Sequence, residues 1–316
     1  MKPLEGVHHI TAITADAQQN VDFYAGVLGL RLVKKSINQD DTSVYHLFYA
    51  DETGDPGSDL TFFEYPGVPR GRPGAGMIHR VVWRLSGPEA FGFWEDRLAK
   101  HGYESTRLDD SLAFDDPEGL THELRVVDVP DEPLIAEHPE IPAELALQGF
   151  HGVRAYAAEP ERSAQLLEET LGFSEPKRVG PRGEIVAREL RGERRGGFYL
   201  LEPPPPERPL QGAGSVHHVA WASHPEDQEA WHERVVQAGA RATPIIDRFY
   251  FRSIYFREPS GVLFELATIG PGFTVDEPLD DLGHKLSLTP QYEHLRGQIE
   301  PQLTPLSNPR DAWAKR

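Results

Sequence analysis

Apolar and polar positions along this chain follow one plan that occurs four times. Each repeat opens with an apolar, strand-like stretch, continues with an amphipathic helical pattern that ends at glycine, and closes with further strand-like stretches. Histidines lead the four repeats at spacings of 71, 72 and 66 residues: His8, His79, His151 and His217. Because such a period indicates repeated supersecondary units, the sequence predicts four modules of the order β-α-β-β-β.

Alternate modules resemble each other most. The first and third share a helix that ends at a glycine suited to a left-handed cap, Gly29 and Gly172. The second and fourth share a helical tryptophan, Trp94 and Trp231. We interpret this pattern as the duplication of a two-module ancestor.

A second histidine follows the leading one in only two of the modules. His9 and His218 hold this position in the first and fourth modules, whereas the second has Arg80 and the third has Gly152. The closing strand of every module carries a glutamate: Glu64, Glu123, Glu202 and Glu265. Two imidazoles and one carboxylate on strands can hold a divalent metal on one face and leave the other face open. We therefore expect a metal site at His9, His218 and Glu265.

This ligand set constrains the domain organisation, because its histidines lie at opposite ends of the repeat array. We expect residues 1–68 and 214–270, the first and fourth modules, to form one metal-bearing domain. Residues 76–204, the second and third modules, would then form a metal-free domain. Residues 271–316 form a C-terminal tail with helical potential near residues 291–298, expected to pack across a domain or against a second subunit.

Residues 8–12, 23–24, 30–35 and above all 247–259 carry a resemblance that covers nearly the whole chain. They resemble the vicinal-oxygen-chelate superfamily, which contains glyoxalase I, extradiol dioxygenases and antibiotic-resistance binding proteins. The chain is most similar to the ring-cleaving dioxygenases that act on hydroquinones, to which the 247–259 run is specific. The resemblance implies an α+β fold, with four βαβββ modules forming two domains of curved mixed sheets. It also implies Fe(II), or Mn(II) or another divalent metal, at the ligand set named above.

The same resemblance implies residues that line the substrate pocket: His8, Thr11, His217, Arg248 and Tyr255. The Arg248 guanidinium can stabilise a bound phenolate, and Tyr255 can donate a hydrogen bond to an oxygen of the ligand. His8 and His217 are expected to shuttle protons near neutral pH. Strict alternation along a strand would put His8 and His9 on opposite faces, so a bulge or strand curvature must bring both near the site.

One residue departs from the pattern of the subfamily. After the Thr-Phe-Phe run at residues 61–63, where the subfamily usually has proline, this chain has Glu64. Aligned with Glu265, Glu64 could be a fourth ligand, as in the two-histidine, two-glutamate set of glyoxalase I-like isomerases. The other interpretation is a carboxylate on the rim, exposed or paired with Arg70 or Arg72.

Composition limits the classes of function. The 316 residues contain no cysteine, so metal ligands must be nitrogen and oxygen atoms. The formal charge of −18 argues against nucleic-acid binding, since a phosphate backbone would be repelled. The sequence contains no long apolar run and no charged-then-apolar leader, so we expect a cytoplasmic protein.

The resemblance implies a ring-cleaving dioxygenase that takes a small aromatic substrate and dioxygen, and we expect a homo-oligomer. Two alternatives stay open. One is a glyoxalase-like isomerase that uses Glu64 as a base or fourth ligand, and the other is a non-enzymatic small-molecule binding protein. Metal analysis separates the binding protein from both enzymes, and oxygen uptake separates the dioxygenase from the isomerase.

Overall fold

A computed structural model describes residues 1–313 and shows two eight-stranded mixed sheets with helices packed on them. In chain order the strands are β1 (Val7–Thr14), β2 (Arg31–Asn38), β3 (Asp41–Ala50), β4 (Asp59–Glu64), β5 (Ile78–Leu85), β6 (Ser105–Arg107), β7 (Ser111–Asp115), β8 (Thr121–Val126), β9 (Phe150–Tyr156), β10 (Lys177–Val179), β11 (Ile185–Arg191), β12 (Gly196–Glu202), β13 (Val216–Ser223), β14 (Ile246–Asp247), β15 (Arg252–Arg257) and β16 (Leu263–Thr268).

The α-helices are short, and two modules use π-helical turns. The α-helices are α1 (Ala17–Val21), α2 (Glu89–Lys100), α3 (Gln228–Gln237), α4 (Pro290–Glu293) and α5 (Arg296–Ile299). The π-helical turns are Asp22–Val27, which continues α1, and Leu166–Leu171. Within residues 1–313, no helix combines the length and apolar character needed to cross a membrane.

The strand order interleaves modules that are distant in sequence. One sheet runs β14-β15-β16-β13-β1-β4-β3-β2, and the other runs β10-β11-β12-β9-β5-β8-β7-β6. The first sheet therefore contains the strands of the first and fourth modules, and the second sheet those of the second and third. In each sheet an antiparallel central pair, β1 with β13 or β5 with β9, is flanked by parallel neighbours. The expected α+β fold of four βαβββ modules is confirmed, and the domain limits stay our proposal.

The helices of neighbouring modules are tied together by equivalent arginines. The Arg97 guanidinium, on α2, donates to the carbonyl oxygens of Gly26 and Val27, at 2.8 and 2.6 Å. In the other half of the chain, Arg234 on α3 donates to the carbonyl of Glu169 at 2.6 Å. Carbonyl oxygens at a helix end lack partners within the helix, so these cations satisfy them and hold successive modules together.

Bulges at the centre of the first sheet shape the site. Between β1 and β13, Val7 pairs with Trp221 and His9 with Ala220, so His8 is an extra residue in β1. His217 is likewise an extra residue in β13, because the partner shifts from His218 to Val216 there. The bulge that the adjacent histidines required is present, and it occurs on both strands.

The tail runs along β2, the edge strand of the first sheet. Leu286 forms a bridge with Lys35, and the Ser287 amide donates to the Lys35 carbonyl at 2.8 Å. The fully buried Lys34 side chain lies 2.8 Å from Asp276 and also pairs with Glu277. The tail thus gives hydrogen-bond partners to groups of the edge strand β2 that would otherwise face water. The last three residues of the predicted tail, 314–316, lie outside the described range.

Candidate metal centre and active site

Three strands of the first sheet bring His9, His218 and Glu265 together. His9 lies on β1, His218 on β13 and Glu265 on β16, and all three are buried. One ligand atom from each lies within 4.8 Å of the other two. Glu265 Oε2 is 3.1 Å from His9 Nε2 and 2.9 Å from His218 Nε2, and the two Nε2 atoms are 3.4 Å apart. Within residues 1–313, this is the one group of three or more histidine, aspartate or glutamate side chains close enough together to hold an ion.

The neighbouring histidines fix how the ligand imidazoles are protonated. His8 Nε2 lies 3.1 Å from the Thr268 carbonyl oxygen and must donate its proton to it. His8 Nδ1 therefore carries a lone pair, which accepts the Nδ1 proton of His9 at 2.9 Å. This assignment leaves the His9 Nε2 lone pair directed at the centre. His217 Nδ1 likewise lies 2.8 Å from His218 Nδ1.

The resulting donor set fits a divalent cation. In metal-bound protein neither Nε2 atom carries a proton, so the facing atoms of His9, His218 and Glu265 would all offer lone pairs to the ion. Both Glu265 oxygens are buried without a hydrogen-bond donor among the described residues. Burial alone would raise the pKa of Glu265, but the two imidazoles lower it well below the usual range, so the group is a carboxylate. Two neutral imidazoles and a carboxylate are ligands that first-row divalent metals accept.

A cavity opens beside these three residues, and both ligand histidines line it. Its walls are mainly aromatic, and polar side chains of β2 and the following turn form one side. The other lining residues are Thr11, Ser36, Ile37, Asn38, Gln39, Asp40, His46, Phe48, Phe63, Arg248, Tyr250, Phe251 and Tyr255. Apolar and aromatic walls with a few placed polar groups are typical of small-molecule sites.

Three of the predicted pocket residues line this cavity. The Arg248 guanidinium lies 5.5 Å from the centre of the Tyr255 ring and 3.1 Å from Asp40. Burial raises the pKa of Tyr255 above its usual value, so its hydroxyl keeps its proton and can donate. Thr11 accepts a hydrogen bond from the Thr61 hydroxyl at 2.9 Å. Arg248 and Tyr255 together provide a cation and a donor beside the metal position.

The other two predicted pocket residues, His8 and His217, do not line this cavity. His8 is buried behind His9, where burial and the neighbouring imidazole lower its pKa to about 3. His217 lies behind His218 at the surface. Each contacts the Nδ1 atom of its neighbouring ligand histidine. The expectation that both line the substrate pocket is therefore corrected, and their contacts suit them to orient the ligand histidines.

The predicted alignment of Glu64 with Glu265 is wrong. On β16, Glu265 pairs with Ala220, two residues after His218. On β4, Thr61 pairs with Thr11, two residues after His9. Thr61 is therefore the counterpart of Glu265, and Glu64 lies three residues further on. Glu64 is buried and accepts a hydrogen bond from the Ala17 amide at the start of α1, at 3.2 Å. It is neither a fourth ligand nor an exposed carboxylate on the rim.

The second sheet has ion pairs where the first has its ligand set. Glu123 pairs with Val82, so it holds the register position of Glu265. Its oxygens lie 3.0 Å from Arg80 and 2.8 Å from Arg154. Guanidinium groups thus supply the positive charge that balances this buried carboxylate, which explains why this half needs no metal.

Two residues near the cavity were not expected from the sequence. His46 lies on β3 within the cavity wall, and Asp59 pairs with His9 across β1 and β4. Asp59 is buried, and neither carboxylate oxygen has a hydrogen-bond partner within residues 1–313. Neither residue repeats between modules, so module comparison gave no signal for them. The strand alternation that places 59, 61 and 63 on one face would have indicated them once the register was known.

Comparisons with known proteins place the chain in a superfamily. The family model described as "Glyoxalase/Bleomycin resistance protein/Dioxygenase superfamily" matches residues 6–124 and 149–266. The chain therefore belongs to this superfamily. Two proteins of Bacillus subtilis described as candidate ring-cleaving dioxygenases, MhqA and MhqO, are each 41% identical to it. They cover 96% of this chain and 99% and 97% of their own lengths. The chlorohydroquinone/hydroquinone 1,2-dioxygenase of Sphingobium indicum is 31% identical over 94% of this chain and 95% of its own.

Solved structures agree with the fold. The crystal structure of a candidate dioxygenase from Bacillus subtilis has a TM-score of 0.90 and 39% identity, and covers 97% of this chain and 99% of its own. Glyoxalase I from Zea mays has a TM-score of 0.57 at 15% identity, over 83% of this chain and 92% of its own. The similarity to glyoxalase I concerns the fold alone.

Proposed function

We propose that this protein is an Fe(II)-dependent dioxygenase that opens the ring of a hydroquinone or a related dihydroxylated aromatic compound, beside a hydroxyl-bearing carbon. The observation that carries the proposal is the convergence of His9, His218 and Glu265 at an aromatic-walled cavity. The names of the relatives at 31–41% identity support the same reaction class. We infer His9, His218 and Glu265 as the metal ligands.

The overall reaction balances without a further reductant. Both atoms of dioxygen enter the product, and one carbon–carbon bond of the aromatic ring breaks. When bound, Fe(II) supplies Lewis acidity toward a substrate hydroxyl and a path for electrons from the ring to dioxygen. His9, His218 and Glu265 would hold the ion, and the cavity beside them would admit the substrate.

Arg248 and Tyr255 act on the charge of the substrate. A hydroxyl that loses its proton becomes a phenolate, and the Arg248 guanidinium beside Tyr255 stabilises that charge. The Tyr255 hydroxyl, which keeps its proton, donates to an oxygen of the reacting group. Asp40 holds the guanidinium from the other side. The aromatic side chains Phe48 and Phe251 exclude water and orient the ring.

The register of β4 argues against the isomerase alternative. A glyoxalase-type ligand set needs a second carboxylate, and Thr61 occupies the position where the sheet would offer it. Glu64 instead binds the start of α1. Two buried histidines and a buried carboxylate that converge beside a cavity favour a metal centre over a metal-free binding pocket.

The proposal is tested by loading the protein with Fe(II) without oxygen and measuring oxygen uptake with a panel of hydroquinones and catechols. We expect uptake that matches the amount of substrate added. The matched control is Glu265→Gln, which keeps the shape of the ligand and removes its charge. Iron-loaded wild-type protein that consumes no oxygen with any dihydroxylated aromatic would contradict the proposal.

A further inference from the structure

His46 occupies a prominent place in the cavity, yet the reaction described above gives it no part. Its ring lies between two aromatic side chains, with ring centres 3.9 Å from Phe48 and 4.4 Å from Phe63. Its Nε2 atom is 2.9 Å from the Thr61 hydroxyl oxygen. The imidazole thus packs against two aromatic rings and is hydrogen-bonded at Nε2, which holds its orientation.

The hydrogen bonds of Thr61 determine which nitrogen of His46 carries the proton. The Thr61 hydroxyl donates its single proton to the Thr11 hydroxyl oxygen at 2.9 Å. The Thr61 oxygen must therefore accept from His46 Nε2, which leaves Nδ1 with a lone pair. Nδ1 has no hydrogen-bond partner within residues 1–313, and it is the polar atom that this ring can offer to a ligand. Burial and the nearby His9 and His218 lower the pKa of His46 well below its usual value, so the lone pair stays free.

The location of His46 separates it from the metal position by one side chain. Thr61 is the counterpart of Glu265, so its side chain borders the ligand set on the side that lacks a carboxylate. His46 stands behind Thr61 along the cavity wall and is not part of the ligand cluster. His46 is thus a polar side chain of the cavity wall outside the ligand set.

We propose that His46 Nδ1 accepts the hydrogen bond of the substrate hydroxyl that the metal does not hold. This inference rests on the proposed function and adds its specificity. A hydroquinone carries its second hydroxyl across the ring and can reach His46 while the first is at the metal. A catechol has adjacent hydroxyls, which both face the metal, and leaves the acceptor without a partner. His46 therefore selects hydroquinones, because an unpaired buried acceptor costs free energy.

The test compares binding of hydroquinone with binding of phenol, which lacks the second hydroxyl, to the Fe(II)-loaded protein in the absence of oxygen. Calorimetry gives both dissociation constants. We expect wild-type protein to prefer hydroquinone by about 10–100-fold. The side chain of Gln reaches as far as Nε2 but has no acceptor at the place of Nδ1, so His46→Gln should bind the two ligands about equally. The side chain of Asn puts its amide oxygen near the place of Nδ1, so His46→Asn should keep most of the preference.

Iron content and circular dichroism of both variants check that the site and the fold persist. If His46→Gln does not fold, the wild-type preference and the Asn variant still decide the matter. Equal affinities in wild-type protein, loss of the preference in His46→Asn, or an unchanged preference in His46→Gln would overturn the inference. None of these results bears on ring cleavage, which oxygen uptake measures separately. Conversely, a preference that depends on His46 without any oxygen uptake would overturn the proposed function and leave the inference standing.

Discussion

At the scale of single residues, the adjacent histidines have different tasks. His9 and His218 turn Nε2 toward Glu265, whereas His8 and His217 each meet the Nδ1 atom of the neighbouring ligand histidine. A backbone carbonyl, that of Thr268, fixes one end of this chain of hydrogen bonds. The consequence is that His9 donates its Nδ1 proton to His8 and turns Nε2 toward Glu265.

The first prediction concerns metal affinity. His9→Ala, His218→Ala or Glu265→Ala should weaken metal binding by about 10–100-fold or more, since a three-ligand set has no spare ligand. His8→Phe should weaken it by about 10-fold, because His9 loses the acceptor that orients it. Titration with Co(II), followed by its visible spectrum, measures these affinities. Glu64→Gln is the control and should bind as wild type does; loss of binding in that variant alone would restore Glu64 as a ligand.

The second prediction separates catalysis from metal binding. Arg248→Ala should lower turnover by about 10²–10³-fold, because a guanidinium that stabilises developing charge is lost. Tyr255→Phe should lower it by about 10-fold, since one donated hydrogen bond is lost. Iron content should stay near one per chain in both, as measured by plasma emission. Full turnover in either variant would refute the role assigned to that residue.

At the scale of elements, the sequence determined more of the modules than of their registers. The strand and helix order of all four modules was predictable, because apolar periodicity and glycine caps mark each element. The alignment of the four closing strands was not predictable. A glutamate near the end of each strand suggested that all four glutamates occupy the same position, but only Glu123 and Glu265 do. A shift of one residue reverses the facing of a strand, and the bulges at His8 and His217 depend on sheet pairing that local sequence does not encode.

The turn after β7 supplies the third prediction, which concerns pH. Asp116 is buried there and accepts hydrogen bonds from the Tyr24 hydroxyl at 2.9 Å and the Leu120 amide at 2.8 Å. Burial nevertheless raises its pKa to about 6, against about 3.9 in an unfolded chain. Between these values the folded state binds more protons than the unfolded state, so this residue makes the free energy of unfolding fall as pH rises.

Asp116→Asn should remove that part of the pH dependence. Relative to wild type, the variant should gain up to about 3 kcal/mol in free energy of unfolding between pH ~4 and pH ~7. Urea unfolding of both proteins across this range measures the difference. Parallel pH profiles for the two proteins would show that Asp116 is not the cause.

At the scale of the whole molecule, one sheet joins the two ends of the repeat array and the tail then covers its edge. β1 and β13 meet at the centre of that sheet although about 200 residues separate them, and the ligand set lies across their junction. Asp276 of the tail also accepts a hydrogen bond from Tyr250, which lines the cavity. The tail thus supports a wall of the candidate active site.

The fourth prediction tests whether the tail holds the edge strand β2 through Lys34. Asp276→Asn with Glu277→Gln leaves the buried Lys34 ammonium without a counter-charge, which should lower the free energy of unfolding by about 3–5 kcal/mol. Adding Lys34→Met should restore most of the loss, because the charge is then absent as well. Urea unfolding measures all three proteins. A double variant as stable as wild type would show that the tail does not hold the edge strand through Lys34.

The central claim is that the chain opens a dihydroxylated aromatic ring with both atoms of dioxygen. Its most direct test is mass spectrometry of the product formed by the Fe(II)-loaded protein from hydroquinone under isotopically heavy dioxygen, sampled before exchange with water. We predict a ring-opened product that carries two heavy oxygen atoms, and no such product from the Glu265→Gln variant. A product whose ring is intact, or an opened product whose new oxygen atoms both come from water, would contradict the claim.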